Sequence, residues 1–236
     1  MTQRIFEEDS YQRSCDAVVQ AADADGIVLD RTVFYALGGG QPGDTGCLIL
    51  ADGTQVAIVD TRKGGDDSII HIPEDGVALP VVGTSLRAEI DWEPRYKHMR
   101  MHTCLHLLCS LIDAPVTGGN LNTEKGRLDF DLPESTLDKE SLTIALNELI
   151  SADRATTLEW ITDDELAAQP ELIKTMSVQP PTGAGRVRLL NIAGVDLQPC
   201  GGTHVLRTGE IGRVRVAKIE KKSRLNRRVA VVFDST

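Results

Sequence analysis

The sequence predicts an α+β fold, with a small β-barrel domain in residues 1–90 and an α+β domain in residues 91–236. The first ninety residues contain short segments rich in Val and Ile, separated by Gly and Asp, as in a barrel or sandwich. Near residue 91 the apolar residues change to a helical spacing, and strand-like segments return further along the chain. Together these changes indicate two domains of different architecture.

The strands of the first domain are predicted from four segments. They read CDAVVQAA, GIVLD, CLILADGTQVAIVDTR and SIIHI, and each is too short or too rich in turn residues to form a helix. In the third segment, Asp52-Gly53 separates two apolar runs, which is typical of a hairpin turn.

A glycine-rich loop, RTVFYALGGGQPGDTG, lies between the second and third of these segments. Glycine lets the backbone approach a ligand or another segment closely, so the loop is either a binding element or a tight barrel corner. It lacks the Gly-Lys-Ser/Thr of a phosphate-binding loop. We expect residues 38–46 to pack near a functional site, with Phe34 and Tyr35 offering a stacking surface.

A helix over residues 95–112 is predicted to open the second domain. Its apolar residues recur at helical spacing at Met101, Leu105, Leu108 and Ile112. The next segment, PVTGGNLNTEKG, is rich in Gly and Asn and is predicted to be a loop, and RLDFDL after it is predicted to be a strand.

A second helix is predicted over residues 137–152, with Thr136 or Asp138 as its N-cap. Its buried stripe is predicted to be Leu142, Leu146, Leu149 and Ile150. Two later strands, RVRLLNI and GRVRVAKIE, flank a tight PCGGTH segment, and RRVAVVF forms the last strand.

The composition is that of a globular protein, with 41% hydrophobic and 25% charged residues. No apolar run approaches the roughly 20 residues of a membrane helix, and the first residues lack the apolar core of a secretory signal. We therefore expect a cytoplasmic protein that does not contact a membrane, and no obligate protein partner is evident. The odd number of cysteines, five, argues against a disulfide framework.

The charge is unevenly distributed along the chain. The net charge is -10, yet residues 213–228, RVRVAKIEKKSRLNRR, contain eight Lys or Arg and a single Glu. Salt screens distant charges beyond about 10 Å, so a local basic strip can bind phosphates even on an acidic protein. The alternative is a solvated strand edge whose charges discourage aggregation.

Two pairs of residues have the spacing of metal ligands. His102 and His106 lie one turn apart on the first predicted helix, and Cys200 and His204 are separated by a Gly-Gly-Thr segment. Imidazole and thiolate are ligands suited to zinc. The alternative is that the histidines are ordinary helix residues and Cys200 is a buried thiol. Three of the five histidines fall in these pairs, which favours the metal site.

These residues resemble a known family. His-x-x-x-His followed far downstream by CGGTHV resembles the editing domain of alanyl-tRNA synthetase, and more closely the free-standing AlaX-type trans-editing proteins. The segments RTVFYALGGGQPGDTG, GRLDFDL and VDLQPCGGTHVLRTGEIG also resemble the family's signatures, so the resemblance covers nearly the whole chain. One departure follows Lys221 and Lys222, where the family often has a glycine-rich turn and this chain has SRLN.

The resemblance implies a site and an activity. A Zn²⁺ ion would be bound by His102, His106, Cys200 and His204 in the domain of residues 91–236. The family's pocket segment implies that the substrate is contacted by Thr32, Gly39, Gly40 and Gln41, with Thr32 reading the amino acid. Phosphates of the tRNA would be contacted by Lys218, Lys221, Lys222, Arg224, Arg227 and Arg228. No separate nucleophile is assigned.

The implied reaction is hydrolysis of the ester that joins a wrong amino acid, chiefly serine and also glycine, to alanine tRNA, tRNA(Ala). Two alternatives stay open. The zinc could be structural in a tRNA-binding module without activity, or the protein could resemble the editing domain of threonyl-tRNA synthetase. The Thr-x-Phe-Tyr and Gly-Gly-Gln loop favours the alanine system.

Overall fold

A computed structural model describes residues 1–133, 137–176 and 185–234. The described helices are α1 (Trp92–Leu111), α2 (Lys139–Ser151) and α3 (Asp163–Ala167). The described strands are β1 (Gln3–Arg4), β2 (Ser14–Asp23), β3 (Gly26–Leu29), β4 (Arg31–Thr32), β5 (Gly46–Leu50), β6 (Gln55–Lys63), β7 (Ile69–Pro73), β8 (Ser85–Ile90), β9 (Val116–Leu121), β10 (Lys125–Asp131), β11 (Thr156–Ile161), β12 (Val187–Ile192), β13 (Asp196–Pro199), β14 (Val214–Lys221) and β15 (Asn226–Phe233). The chain divides into two compact units, Met1–Tyr96 and Lys97–Thr236, which are described separately below.

The first unit is built on a closed barrel of six strands, in the order β2-β3-β7-β6-β5-β8. Strand β8 pairs with both β2 and β5, which closes the barrel and leaves no open edge. The residues of β8 alternate between exposed and buried positions, so every second side chain points into the barrel. The interior is filled by apolar side chains, among them Val19, Ile27, Leu29, Phe34, Leu48 and Ile58. The four predicted strand segments and the hairpin at Asp52-Gly53 are confirmed.

The glycine-rich segment between β4 and β5 is packed tightly against the barrel. A Cβ atom at Gly43 would lie 2.2 Å from the carbonyl oxygen of Thr61, closer than real contacts allow. The rings of Phe34 and Tyr35 are also buried, so the expectation that they offer a stacking surface is wrong. Phe34 fills the barrel core because its strand-like segment faces inward, and Tyr35 packs edge-to-face on Phe6.

A buried ion pair fixes the first turn of α1 within this unit. Arg95 is fully buried and donates to the carboxylate of Asp44, and to the carbonyl oxygens of Ser10 and Val33 at 3.0 and 2.6 Å. Asp44 also accepts a 2.6 Å bond from the backbone N–H of Tyr35. The pair therefore ties the glycine-rich segment to the helix by charge-assisted hydrogen bonds.

Helix α1 begins at Trp92, three residues before the predicted start. Pro94 is tolerated there because the first turn of a helix needs no backbone donor at that position. The four predicted apolar positions, Met101, Leu105, Leu108 and Ile112, are all buried. None of the helices in the described part of the chain combines the length and the apolar character needed to cross a membrane.

The second unit contains two antiparallel sheets, with strand orders β14-β15-β10-β9 and β11-β12-β13. The prediction of a loop for residues 115–126 is wrong, because Val116–Leu121 forms β9 beside β10. A Cβ at Gly119 would lie only 3.0 Å from the side chain of Leu128, so the glycine gives room for that packing. Pairing with a neighbouring strand here outweighs the low strand propensity of Gly and Asn.

Helix α2 packs on strand β14. Asp138 is its N-cap and accepts from the backbone N–H of Ser141 at 2.7 Å, whereas Thr136 lies outside the described residues. Leu142, Leu146 and Ile150 are buried as predicted, but Leu149 is half-buried. The Asn147 side chain donates to the carbonyl of Val214 at 2.7 Å and accepts from its N–H at 3.1 Å. This two-way contact fixes the helix against the strand edge.

Candidate metal centre

Four side chains of the second unit converge on one point. Each of His102, His106, Cys200 and His204 offers one metal-binding atom, and these atoms all lie within 4.8 Å of one another. The Cys200 Sγ lies 3.6 Å from Nε2 of His102 and 3.2 Å from Nε2 of His204. Helix α1 supplies the first pair of ligands, and the turn that follows β13 supplies the second. The two sequence pairs are thus brought together.

Hydrogen bonds on the far side of two imidazoles engage Nδ1, so that Nε2 is the nitrogen that faces the cluster. Thr103 donates its hydroxyl to the carbonyl of Met99 at 2.9 Å, so it accepts from Nδ1–H of His204 at 3.2 Å. His106 donates its Nδ1–H to Oδ2 of Asp196 at 3.0 Å. Such partners fix the tautomer and the ring orientation of a ligand.

The Cys200 turn is held by a buried arginine of β12. Arg188 is 3% exposed and donates to the carbonyl oxygens of Cys200, at 2.9 Å, and of Gly202. The Cys200 N–H in turn donates to the Arg188 carbonyl at 3.0 Å. The turn is therefore anchored at three points before any ion binds. Sequence reasoning missed Arg188, since its strand segment RVRLLNI shows a basic residue without showing its partner.

The electrostatics of the metal-free cluster favour a thiolate. Burial raises the pKa of the Cys200 thiol, but the three neighbouring imidazoles outweigh burial and bring it well below its usual value. Burial lowers the pKa of His106, yet the charges of Cys200 and Asp196 raise it overall to about 9. Burial lowers the pKa of His204 to about 3. Because the thiolate is the metal-binding form of cysteine, the cluster is prepared for a cation.

The donor set fits a transition-metal ion. Three imidazole nitrogens and one thiolate sulfur are borderline to soft ligands, and four of them match a tetrahedral site. All three imidazoles are buried, with exposures of 8% or less. The cluster can therefore hold one metal ion away from bulk water.

The predicted substrate-binding residues lie in the first unit. Gly39 and Gly40, both with positive φ, form the tip of a tight turn closed by paired backbone bonds between Gly38 and Gln41. Gln41 itself is fully buried. Glycine adopts such a turn without strain, and with glycine at both positions the tip presents backbone and no side chain. The contact of these residues with substrate stays a prediction.

Thr32 is fully buried in a hydrogen-bonded network of the barrel. Its Oγ1 lies 2.8 Å from Nε2 of His71 and accepts from the N–H of Phe34 at 3.0 Å. His71 directs Nδ1 at the carbonyl of Ile27, 3.0 Å away, so Nδ1 carries the proton and Nε2 accepts from Thr32. The hydroxyl thus retains one lone pair. Its predicted role in reading the amino acid stays a prediction.

The basic strip of residues 213–228 forms the hairpin of β14 and β15. Some of its charges are engaged within the protein: Arg228 forms a two-point ion pair with Asp129, and Lys218 pairs with Glu220 at 2.7 Å. Arg227 donates to the carbonyl of Pro133. The exposed basic side chains at the hairpin turn are Lys221, Lys222 and Arg224.

Comparison with known proteins first defines a class. Residues 4–94 match the family model of class II (A) tRNA synthetases. Residues 187–230, which include Cys200 and His204, match the model of the second additional domain of threonyl and alanyl tRNA synthetases. The barrel and the Cys/His cluster are thus parts of a synthetase-related protein.

Full-length relatives then identify the family. The chain is 37% identical over 240 residues to the alanyl-tRNA editing protein AlaX-M of Methanosarcina acetivorans, covering 97% of this chain and 98% of that protein. AlaX-M of Saccharolobus solfataricus is 32% identical over 237 residues, with the same two coverages. The alanine–tRNA ligase of Saccharolobus islandicus is 31% identical over 229 residues, which are 93% of this chain but 25% of that enzyme. The chain belongs to the AlaX-M family of alanyl-tRNA editing proteins.

Proposed function

We propose that the protein is a trans-editing hydrolase that deacylates mischarged tRNA(Ala), chiefly Ser-tRNA(Ala) and also Gly-tRNA(Ala). The observation that carries this proposal is the convergence of His102, His106, Cys200 and His204 in a chain of the AlaX-M family. In the reaction, water adds to the carbonyl carbon and the bond to the ribose oxygen breaks. The products are the free amino acid and a tRNA with a free terminal hydroxyl.

We propose zinc as the ion of this centre. With all four side chains bound at once, a zinc ion would shape the pocket that positions the substrate, and with one coordination position open it would supply Lewis acidity to the carbonyl. The chain's own residues prepare the site: Thr103 and Asp196 orient two imidazoles, and Arg188 holds the Cys200 turn. Because the ester is intrinsically labile, positioning contributes more than a strong nucleophile would.

Thr32, Gly39, Gly40 and Gln41 are proposed to contact the aminoacyl end. The remaining lone pair of the Thr32 hydroxyl supports its role, because a seryl hydroxyl could donate to it while an alanyl methyl could not. The exposed backbone at Gly39 and Gly40 is suited to close approach by a ligand.

The tRNA phosphates are proposed to bind the basic hairpin through Lys218, Lys221, Lys222, Arg224, Arg227 and Arg228. Support comes from the exposure of Lys221, Lys222 and Arg224 at the hairpin turn. Arg227 and Arg228 would contribute less, because each already has a partner within the protein. Phosphate contacts position the RNA without reading its sequence.

Two domains, residues 1–90 and 91–236, are proposed as the functional organisation. The closed barrel in one unit and the Cys/His cluster in the other support this division. Helix α1 begins at Trp92, just after the proposed boundary, and its first turn, which contains Arg95, still belongs to the first compact unit.

The test is a deacylation assay on seryl-, glycyl- and alanyl-tRNA(Ala), with and without a zinc chelator. Release of serine and glycine, but little alanine, is expected, and the chelator should abolish it. Cys200→Ser should lose both zinc and activity, whereas Cys109→Ser, a change at a buried cysteine of α1 outside the ligand set, should keep both.

The same assay distinguishes the alternatives. A tRNA-binding module without activity would retain tRNA binding and release no amino acid from any substrate. A specificity like that of threonyl-tRNA synthetase editing would hydrolyse seryl-tRNA(Thr) in preference to seryl-tRNA(Ala). Either outcome would overturn the proposed function.

A further inference from the structure

The buried carboxylate of Asp196 lies behind the metal centre, on strand β13. Its side chain is 0% exposed, and three donors converge on it. His106 Nδ1 lies 3.0 Å from Oδ2, Gln198 Nε2 lies 2.6 Å from Oδ2, and Lys174 Nζ lies 2.6 Å from Oδ1. A buried carboxylate with this set of partners is fully engaged and has a fixed orientation.

The contact with His106 determines which nitrogen of the ring is available. A carboxylate can only accept, so the Nδ1 atom that faces it carries the proton. In the neutral ring the other nitrogen, Nε2, then keeps its lone pair. An imidazole held in the opposite tautomer would present an N–H to the centre and could not bind a cation there.

The other two partners fix the carboxylate itself. Gln198 lies two residues along the same strand, and Lys174 comes from a segment whose backbone bonds to Val116 of β9. Lys174 also balances the negative charge of Asp196, and its own side chain is 34% exposed. A buried carboxylate without such a partner would be costly to retain.

We propose that Asp196 is the positioning residue for His106 in the metal centre: supported by Lys174 and Gln198, it holds His106 in the Nδ1–H tautomer with Nε2 directed to the ion. The inference rests on the metal part of the proposed function and not on deacylation. It assigns Asp196 no contact with the ion or the substrate.

The first test measures zinc affinity by competition with a chromophoric chelator, using the full-length protein. Asp196→Ala and Asp196→Asn should each bind zinc about 10- to 100-fold more weakly than the wild type. Asp129→Asn is the matched control, since Asp129 also forms an ion pair in the same unit, with Arg228, but contacts no ligand residue. Its zinc affinity should stay within twofold of the wild-type value.

A double variant tests the network without leaving a cavity. In Asp196→Asn the new amide N–H₂ would face the Lys174 ammonium, donor against donor. Adding Lys174→Gln supplies an acceptor in that place, so the double variant should recover much of the lost affinity. Even if Asp196→Ala fails to fold, the inference can be tested by the loss of zinc affinity in Asp196→Asn and its recovery in the double variant.

The spectroscopic readout is the tautomer of His106 in the zinc-loaded, ¹⁵N-labelled protein. The wild type should show a slowly exchanging Nδ1–H for His106, and Asp196→Ala should lose it while the signals of His204 persist. The inference is overturned if folded Asp196→Ala keeps wild-type zinc affinity, or if the wild type shows the Nε2–H tautomer. Failure of the wild type itself to bind zinc would instead overturn the proposed metal.

Discussion

At the scale of single residues, the His71 imidazole of the barrel is a titratable group whose pKa is changed strongly by folding. It is fully buried, and burial lowers its pKa to about 4 despite the bond to the Ile27 carbonyl, which opposes that shift. An unfolded chain would return it to its ordinary value of 6.5. The unfolded chain therefore binds a proton at His71 at a higher pH than the folded chain does. Acid conditions consequently favour unfolding.

The sign of this effect defines a prediction. The contribution of His71 to stability is complete above pH 6.5 and is lost as the pH falls from 6.5 towards 4, by up to about 3 kcal/mol. Urea unfolding at several pH values should show a shallower pH dependence for His71→Gln than for the wild type. Parallel curves for the two proteins would contradict the assignment.

Thr32 gives a second prediction at this scale. Thr32→Val leaves the His71 Nε2 and the Phe34 N–H without their partner, so the free energy of unfolding should fall by about 1–3 kcal/mol. If Thr32 also reads the substrate, the ratio of seryl to glycyl hydrolysis should fall roughly two- to tenfold. That ratio does not depend on the folded fraction. Thr32→Ser, which keeps the hydroxyl, should preserve both stability and ratio better.

At the scale of elements, helix α1 and strand β10 meet at Gly126. A Cβ atom there would lie 2.8 Å from Met101 Sδ and 3.1 Å from Leu105 Cδ1. Helix α1, which carries His102 and His106, can therefore pack closely on β10 because residue 126 is a glycine and has no side chain.

Replacing that glycine should separate the two elements. Gly126→Val should destabilise the protein by about 1–3 kcal/mol through overpacking, as measured by chemical unfolding. Gly118→Val is the matched control on the neighbouring strand, since the nearest atom to its Cβ would be 3.7 Å away. Equal effects of the two changes would show that strand propensity, and not the helix contact, determines the outcome.

Elements with a strong local period could be predicted from sequence, and contacts between distant residues could not. The α1 stripe and the pair His102 and His106 follow from spacing, because residues four apart on a helix share a face. Cys200 and His204 were found by residue type and by their spacing across a turn. Asp196 meets His106 across 90 positions and Thr103 meets His204 across 101, so no local pattern reveals either partner. Strand β9 was missed for the same reason, since its pairing with β10 and not its composition makes it a strand.

At the scale of the whole molecule, the net charge of -10 opposes RNA, whereas the basic hairpin attracts it. Phosphate contacts release counterions, so tRNA affinity should fall steeply with salt. Changing Lys221 and Lys222 to Glu should weaken binding and reduce the slope of log affinity against log salt by about 2, with zinc content unchanged.

The matched control for that variant changes Lys125 and Lys139 to Glu. These two lysines are exposed and lie outside residues 213–228, so the net charge changes equally. If both double variants weaken binding to the same degree, overall charge and not the hairpin governs the association.

The low pKa of Cys200 has a consequence for oxidation. Burial raises the pKa of the other four thiols, Cys15, Cys47, Cys104 and Cys109, whereas Cys200 is held as a thiolate. Peroxides attack the thiolate form, and the first product, a sulfenic acid, no longer serves as the same ligand. In the metal-free cluster, the Cys200 thiolate should therefore be oxidised more readily than the other four thiols, and the oxidised sulfur would not bind a metal ion until it is reduced again.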